Sequence, residues 1–143
     1  MQDRRILIVA NQTCPCPALA DAVAARAPAD VLLVAPALNS RLRHWLSDVD
    51  GAVDAAHARL DRAMANLRER GIAANGVVGD SDPLVAIEDA LADFPATELI
   101  VSTHPPGNSN WLEKDLPERA SKRFGLPLTH LISLYGLEAA SAA

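Results

Sequence analysis

A set of small hydrogen-bonding side chains, Ser102, Thr103, Asn108, Ser109 and Asn110, follows the apolar residues Leu99, Ile100 and Val101 and encloses Pro105-Pro106-Gly107. At the carboxyl end of a strand such groups can donate to and accept from a ligand, and a glycine among them lets backbone N–H groups approach a phosphate. The same residue types close turns and cap helices, and Pro106-Gly107 suits the central positions of a type II turn. Ligand binding by hydrogen bonds therefore competes with a purely local role. Cys14-Pro15-Cys16 and His104 offer a second chemistry, because two thiolates and an imidazole can hold zinc or copper. A Cys-x-Cys pair with one distant histidine falls short of a metal motif, and the flanking prolines have a turn-forming role of their own, so no metal ligand is assigned.

Catalysis finds little support. The chain has no Gly-x-Ser-x-Gly, no Walker loop and no Ser-His-Asp arrangement recognisable by motif. Asp80 and Asp82 are the carboxylates expected near a strand end, and Asp82 before Pro83 reads as a helix N-cap. His57, on the apolar stripe of a helix, and His130, within a strand, read as packing residues. A phosphoacceptor receiver domain would need an acidic cluster after the first strand and a lysine after the fifth, where Asn11 and Ser133 stand. No catalytic residue is assigned, and an enzyme is not expected.

Composition narrows the partners. A net charge of -5 and 3% aromatic residues argue against a nucleic-acid surface, which needs a basic face and stacking rings. No apolar run approaches the ~20 residues that span a bilayer, and Met1 to Arg5 leads into a strand without a signal-peptide core. A cytoplasmic protein with free thiols at Cys14 and Cys16 is the expectation.

The elements that must position the polar loop follow from hydrophobic pattern. Ile6 to Ala10 and Val31 to Ala35 are short, uniformly apolar runs, as central parallel strands covered on both faces must be. Pro17 to Ala27 reads as a crossover helix. Gly51 to Arg70 reads as a long helix with Val53, Ala56, His57, Leu60, Met64 and Leu67 on one stripe, and Gly71 as its stop. Ser40 to Val49 has helical spacing and would pack Trp45 onto the core. Ala73 to Gly79 reads as an edge strand weakened by Gly76. Asp82 opens a helix through Phe94, and Leu99 to Ser102 is the fourth strand. Asp115 and Glu118 have capping-box spacing for a helix that ends near Gly125. Leu128 to Ile132 is a fifth strand with mixed alternation, as at an edge or subunit contact. This β-α alternation implies one α/β domain over residues 1–135, a doubly wound, open, parallel five-stranded sheet, with an alanine-rich tail at 136–143 expected to fray.

With that order of elements, Ile6-Leu-Ile-Val-Ala-Asn-Gln-Thr13, Gly79-Asp-Ser-Asp-Pro83 and Leu126-Pro-Leu128 resemble the universal stress protein family over nearly the whole chain. The resemblance implies an adenine nucleotide α-hydrolase-like sheet ordered 3-2-1-4-5, with helices on both faces and strands one and four flanking the topological switch point. There the loops after Ala10 and Ser102 face each other. ATP-binding members carry an acidic residue after strand one and a Gly-x-x-Gly, spacer, Gly-Ser/Thr pattern after strand four. Here Asn11 takes the acidic position, Gln12 replaces a glycine and Thr13 matches the hydroxyl residue. Lys114-Asp115 stands where Gly-Ser is expected, and Gly107 is out of register. Asp115 beside a poorly screened triphosphate would repel it by several kcal/mol, so the departures favour AMP, or another small adenine-containing ligand, over tight binding of ATP.

By position in the resembling motifs, Asn11 and Thr13 would meet the nucleoside, Val34 and Ala35 the base through backbone groups, and Ser102, Thr103, Gly107, Asn108, Ser109 and Asn110 the phosphate side. The function implied is a stress-response sensor or regulatory module for a small nucleotide or metabolite. The alternative is a non-nucleotide homodimeric interaction module of the same fold, in which Trp111, Leu112 and the fifth strand form the subunit contact. A Cys/His metal or redox site is the third reading.

Overall fold

The computed structural model describes residues 4–10, 17–26, 28–38, 48–80, 82–103 and 115–132. Their strands are β1 (Arg5–Ala10), β2 (Asp30–Leu38), β3 (Ala73–Asp80), β4 (Glu98–Thr103) and β5 (Leu128–Ile132), all paired in parallel in the order β3-β2-β1-β4-β5. The helices between them are α1 (Pro17–Ala24), α2 (Asp48–Glu69), α3 (Pro83–Asp93) and α4 (Leu116–Phe124). The sheet order expected from the sequence is the order found.

β1 explains the layering. Ile6, Leu7 and Ile8 have no solvent exposure, so both faces of this strand need cover. Ile6, Ile8 and Ala10 pack with Leu19 and Val23 of α1 and with Leu60, Ala63 and Leu67 of α2. Leu7 and Val9 pack on the opposite face with Leu84 and Ile87 of α3 and with Leu116 and Ala120 of α4. Right-handed crossovers that run in opposite directions along a sheet must cover opposite faces.

The helix ends follow local chemistry. Gly71, at φ 79, closes α2. Its N–H donates to the Arg68 carbonyl at 2.9 Å while the Ile72 N–H donates to the Leu67 carbonyl at 3.0 Å, the paired bonds of a Schellman stop. α2 starts at Asp48 rather than Gly51. At α3 the Leu84 N–H donates to Asp82 Oδ1 at 3.0 Å, so Asp82 is the N-cap the sequence indicated. α1 ends at Ala24, short of the expected Ala27. The expected helix at Ser40 to Val49, with Trp45, falls mostly outside the described residues, as do Tyr135 and the tail.

Two expectations are corrected. No capping box forms at α4: Asp115 sits in the left-handed region at φ 55 and its side chain makes no capping hydrogen bond. An N-cap side chain reaches the N–H of the second or third helical residue from an extended backbone, and the left-handed backbone of Asp115 does not supply that geometry. His57 is exposed rather than packed. Among the described residues the buried stripe of α2 is Leu60, Ala63 and Leu67, and inclusion of Ala63 rotates its centre so that His57 falls about 90° away at 3.6 residues per turn.

Gly76 and Gly79 of the edge strand β3 make room for the helices on either face. A Cβ on Gly76 would lie 3.1 Å from Met64 Sδ, whereas one on Gly79 would lie 3.0 Å from Ala86 Cβ and 3.1 Å from Val34 Cγ1. Met64 can turn aside, but Ala86 and Val34 have no such freedom. Gly79→Val is expected to cost about 1–3 kcal/mol by overpacking and Gly76→Ala less than about 1, as read from urea denaturation midpoints.

Candidate functional site

The switch point lies where β1 pairs with β4. Ala10, the last residue of β1, is opposite Ser102 in that ladder, one residue before the end of β4 at Thr103. From Ala10 the chain goes on to α1 on one face, and from Thr103 it goes on to α4 on the other. The carboxyl ends of strands at such a switch point are the usual ligand position in open α/β sheets.

Four of the residues assigned from sequence lie among the described ones, and all four are buried. Val34 and Ala35 are 1% and 6% exposed, and their side chains belong to the cores on opposite faces. Val34 is held in register between Val9 of β1 and Val77 of β3, so both edges of its backbone lie inside the sheet. β2 itself runs on to Leu38, past the end of β1 at Ala10, with a register shift against β3 between Pro36 and Leu38. The strand edge turned toward the switch point is therefore the stretch after Ala35. Pro36 has no N–H, so that position can only accept hydrogen bonds.

Ser102 and Thr103 are the polar residues at the end of β4, and neither has measurable exposure. Thr103 Oγ1 is 2.7 Å from Nε2 of His130 on β5. Burial pushes the imidazole of His130 below its ordinary value of 6.5, which keeps it neutral at pH 7. Sequence reading treated His130 as a packing residue and did not pair it with Thr103. The pair is diagonal across the β4–β5 ladder, in which Val101 is opposite His130 and Thr103 opposite Ile132. Only a fixed register could reveal it.

Asn11, Thr13, Gly107, Asn108, Ser109 and Asn110 lie outside the described residues, as do Cys14, Cys16, His104 and Lys114. Among the described residues there is no group of three or more His, Cys, Asp or Glu placed to hold a metal, and no helix is long and apolar enough to cross a membrane.

The opposite end of the sheet carries a polar network that sequence reading did not anticipate. An open recess of about 440 Å³ there is lined by Arg4, Thr97, Glu98 and Pro127. Arg26, just after α1, donates to Glu98 Oε2 at 3.1 Å, to Thr129 Oγ1 at 3.0 Å and to the Ala22 carbonyl at 2.7 Å. Arg4 lies 3.6 Å from the other Glu98 oxygen. Thr97 accepts from the Arg5 N–H and donates to the Arg5 carbonyl, both at 3.1 Å. These groups are satisfied by one another, so the recess reads as a clamp on the amino ends of β1, β4 and β5. Arg26→Leu is expected to destabilise the fold by about 1.5–3 kcal/mol, the range for charge-assisted hydrogen bonds, in chemical denaturation.

No protein-family model matches the sequence, and no curated protein matches it. Solved structures match in fold. A hypothetical protein, MJ0577, whose biochemical function was assigned from its structure, is 14% identical with a TM-score of 0.69, over 92% of this chain and 97% of its own. A protein of the universal stress protein family from Burkholderia pseudomallei is 22% identical with a TM-score of 0.63, over 90% and 96%. A universal stress protein in complex with cAMP is 17% identical with a TM-score of 0.52, over 91% and 98%. The chain has the universal stress protein fold.

Proposed function

We propose that this chain, a universal stress protein by fold, is a single-domain sensor or regulatory module that binds a small adenine nucleotide or related metabolite in the crevice between β1 and β4. The observation that carries the reading is the pairing of Ala10 with Ser102 at the carboxyl ends of those strands, from which the chain departs to opposite faces. A structure of the same fold holding cAMP supports the ligand class. In this reading Asn11 and Thr13 meet the nucleoside, and the backbone at and beyond Ala35 meets the base. Gly107, Asn108, Ser109 and Asn110 meet the phosphate side, and Ser102 and Thr103 support that side from within the sheet.

The phosphate side selects the ligand. Gly107 is the one glycine between Ser102 and Asp115, so few backbone N–H groups can approach a phosphate without a side chain intervening. The Asp115 carboxylate opposes a polyphosphate. A monophosphate or cyclic nucleotide suits this crevice better than ATP. Calorimetric titration is expected to give saturable binding of AMP or cAMP, with ATP at least about tenfold weaker and with Asn11→Ala weakening the preferred ligand. Absence of both heat and thermal shift with AMP, cAMP, ADP and ATP overturns the proposal.

A second reading, a non-nucleotide homodimeric module, is favoured by Ile132, which is 51% exposed on the edge strand β5. A second copy would cover it. Light scattering at micromolar concentration tests this reading: a dimer that Ile132→Lys dissociates supports it, and a monomer removes it.

A further inference from the structure

β5 is an edge strand held on one side by β4, and its two ends are fastened differently. At its amino end the Leu99 N–H donates to the Pro127 carbonyl at 2.8 Å, and Arg26 donates to Thr129 Oγ1 at 3.0 Å. An arginine and a hydroxyl carry the same charges throughout the range from mildly acid to neutral. At its carboxyl end a side-chain bond joins the strands, the 2.7 Å contact of Thr103 Oγ1 with His130 Nε2. Histidine is the side chain that changes charge in that range, and Thr103 is fully buried.

We propose that the Thr103–His130 hydrogen bond is a proton-operated latch that holds the carboxyl end of β5 on β4, so that mild acid releases this end of the edge strand while the amino end stays docked. In the latched state the neutral ring carries its proton on Nδ1 and accepts the Thr103 O–H through Nε2. Protonation makes both ring nitrogens donors. Nε2–H then meets the Thr103 hydroxyl, which can no longer donate its own hydrogen to the ring. The loss of that bond and a half-buried charge both favour moving the ring to water.

The described surroundings contain little that would retain a charged ring. Among the described residues, the charged groups on the elements packed against β5 are Glu98 on β4, Asp115 at the N-cap of α4, and Glu118, Arg119, Lys122 and Arg123 within α4. Glu98 is taken up by Arg26 and Arg4. Those of α4 are exposed, and Arg123 is paired with Glu88. The released state takes up a proton near the ordinary histidine value of 6.5 and the latched state only below it. Latching is therefore complete above 6.5 and is lost as pH falls through the latched-state value. The inference stands apart from the nucleotide reading, since it needs no ligand.

Amide hydrogen exchange on the full chain at pH 7.5 and pH 5, corrected for intrinsic exchange rates, tests the latch. Protection at residues 131–132 is expected to fall in acid by up to about tenfold for each unit by which the pKa is depressed, while residues 6–9 of β1 keep theirs. In His130→Gln, whose carbonyl still accepts from Thr103 but does not titrate, the acid-dependent loss is expected to vanish. An NMR titration of the His130 ring in the native protein is the independent check, expected to give a pKa below 6.5 with the proton on Nδ1 in the neutral form. Equal acid sensitivity of β1 and β5, an unchanged acid response in His130→Gln, or titration of His130 at or above 6.5 each overturns the latch.

Discussion

The structure depends on the double burial of β1. A strand of Ile6, Leu7, Ile8 and Val9 with no more than 1% exposure at any of them is stable only between two neighbouring strands and beneath helices on both faces. Burying a large aliphatic side chain contributes about 1.5–3 kcal/mol, so leaving either face open would forfeit a large share of a marginal total. That requirement places β2 on one side of β1 and β4 on the other. It sends α1 and α2 to one face and α3 and α4 to the other. The switch point at Ala10 and Ser102 is a by-product of this packing, because the helices that follow these neighbouring strands lie on opposite faces.

The two ends of the sheet solve different problems. At the amino ends Arg26 draws together the end of α1, β4 and β5 through Ala22, Glu98 and Thr129, and Thr97 fixes the main chain of β1 against the start of β4. This end is fastened by charge and by satisfied polar groups. At the carboxyl ends the buried polar residues are Ser102 and Thr103, and the strands give way to connections. Rigidity at one end gives the other a fixed frame on which variable residues can be mounted.

Much of this was legible in the sequence because burial on both faces leaves an unmistakable pattern. Ile6 to Ala10 and Val31 to Ala35 are too short for helices and too apolar for surface strands, and Gly71, Asp82 and Gly125 mark helix ends by chemistry that acts within a few residues. Features that depend on distant partners were not legible. Arg26 looks like any surface arginine until β4 and β5 come to lie beside α1. His130 looks like a packing residue until the register sets it diagonal to Thr103. His57 was misjudged because an alanine, Ala63, carries little weight in a hydrophobic pattern although it marks the side of the buried face of α2 that lies away from His57. At Asp115 the spacing to Glu118 suggested a cap, but the left-handed backbone of Asp115 is not the extended one from which a cap is made.

The strand order also governs how the chain passes through synthesis. The amino-terminal half yields β1, β2 and β3 together with α1 and α2, enough for a three-stranded sheet with one covered face. Until residues 83–103 emerge, β1 is an edge, and Leu7, Val9 and Val34 have neither α3 nor β4 to cover them. An apolar strand with an open edge and a bare face is a template for pairing with other chains. The nascent half-domain thus exposes an edge and a face that the folded domain covers. The strand that ends that exposure, β4, is the one whose carboxyl end forms one side of the switch point.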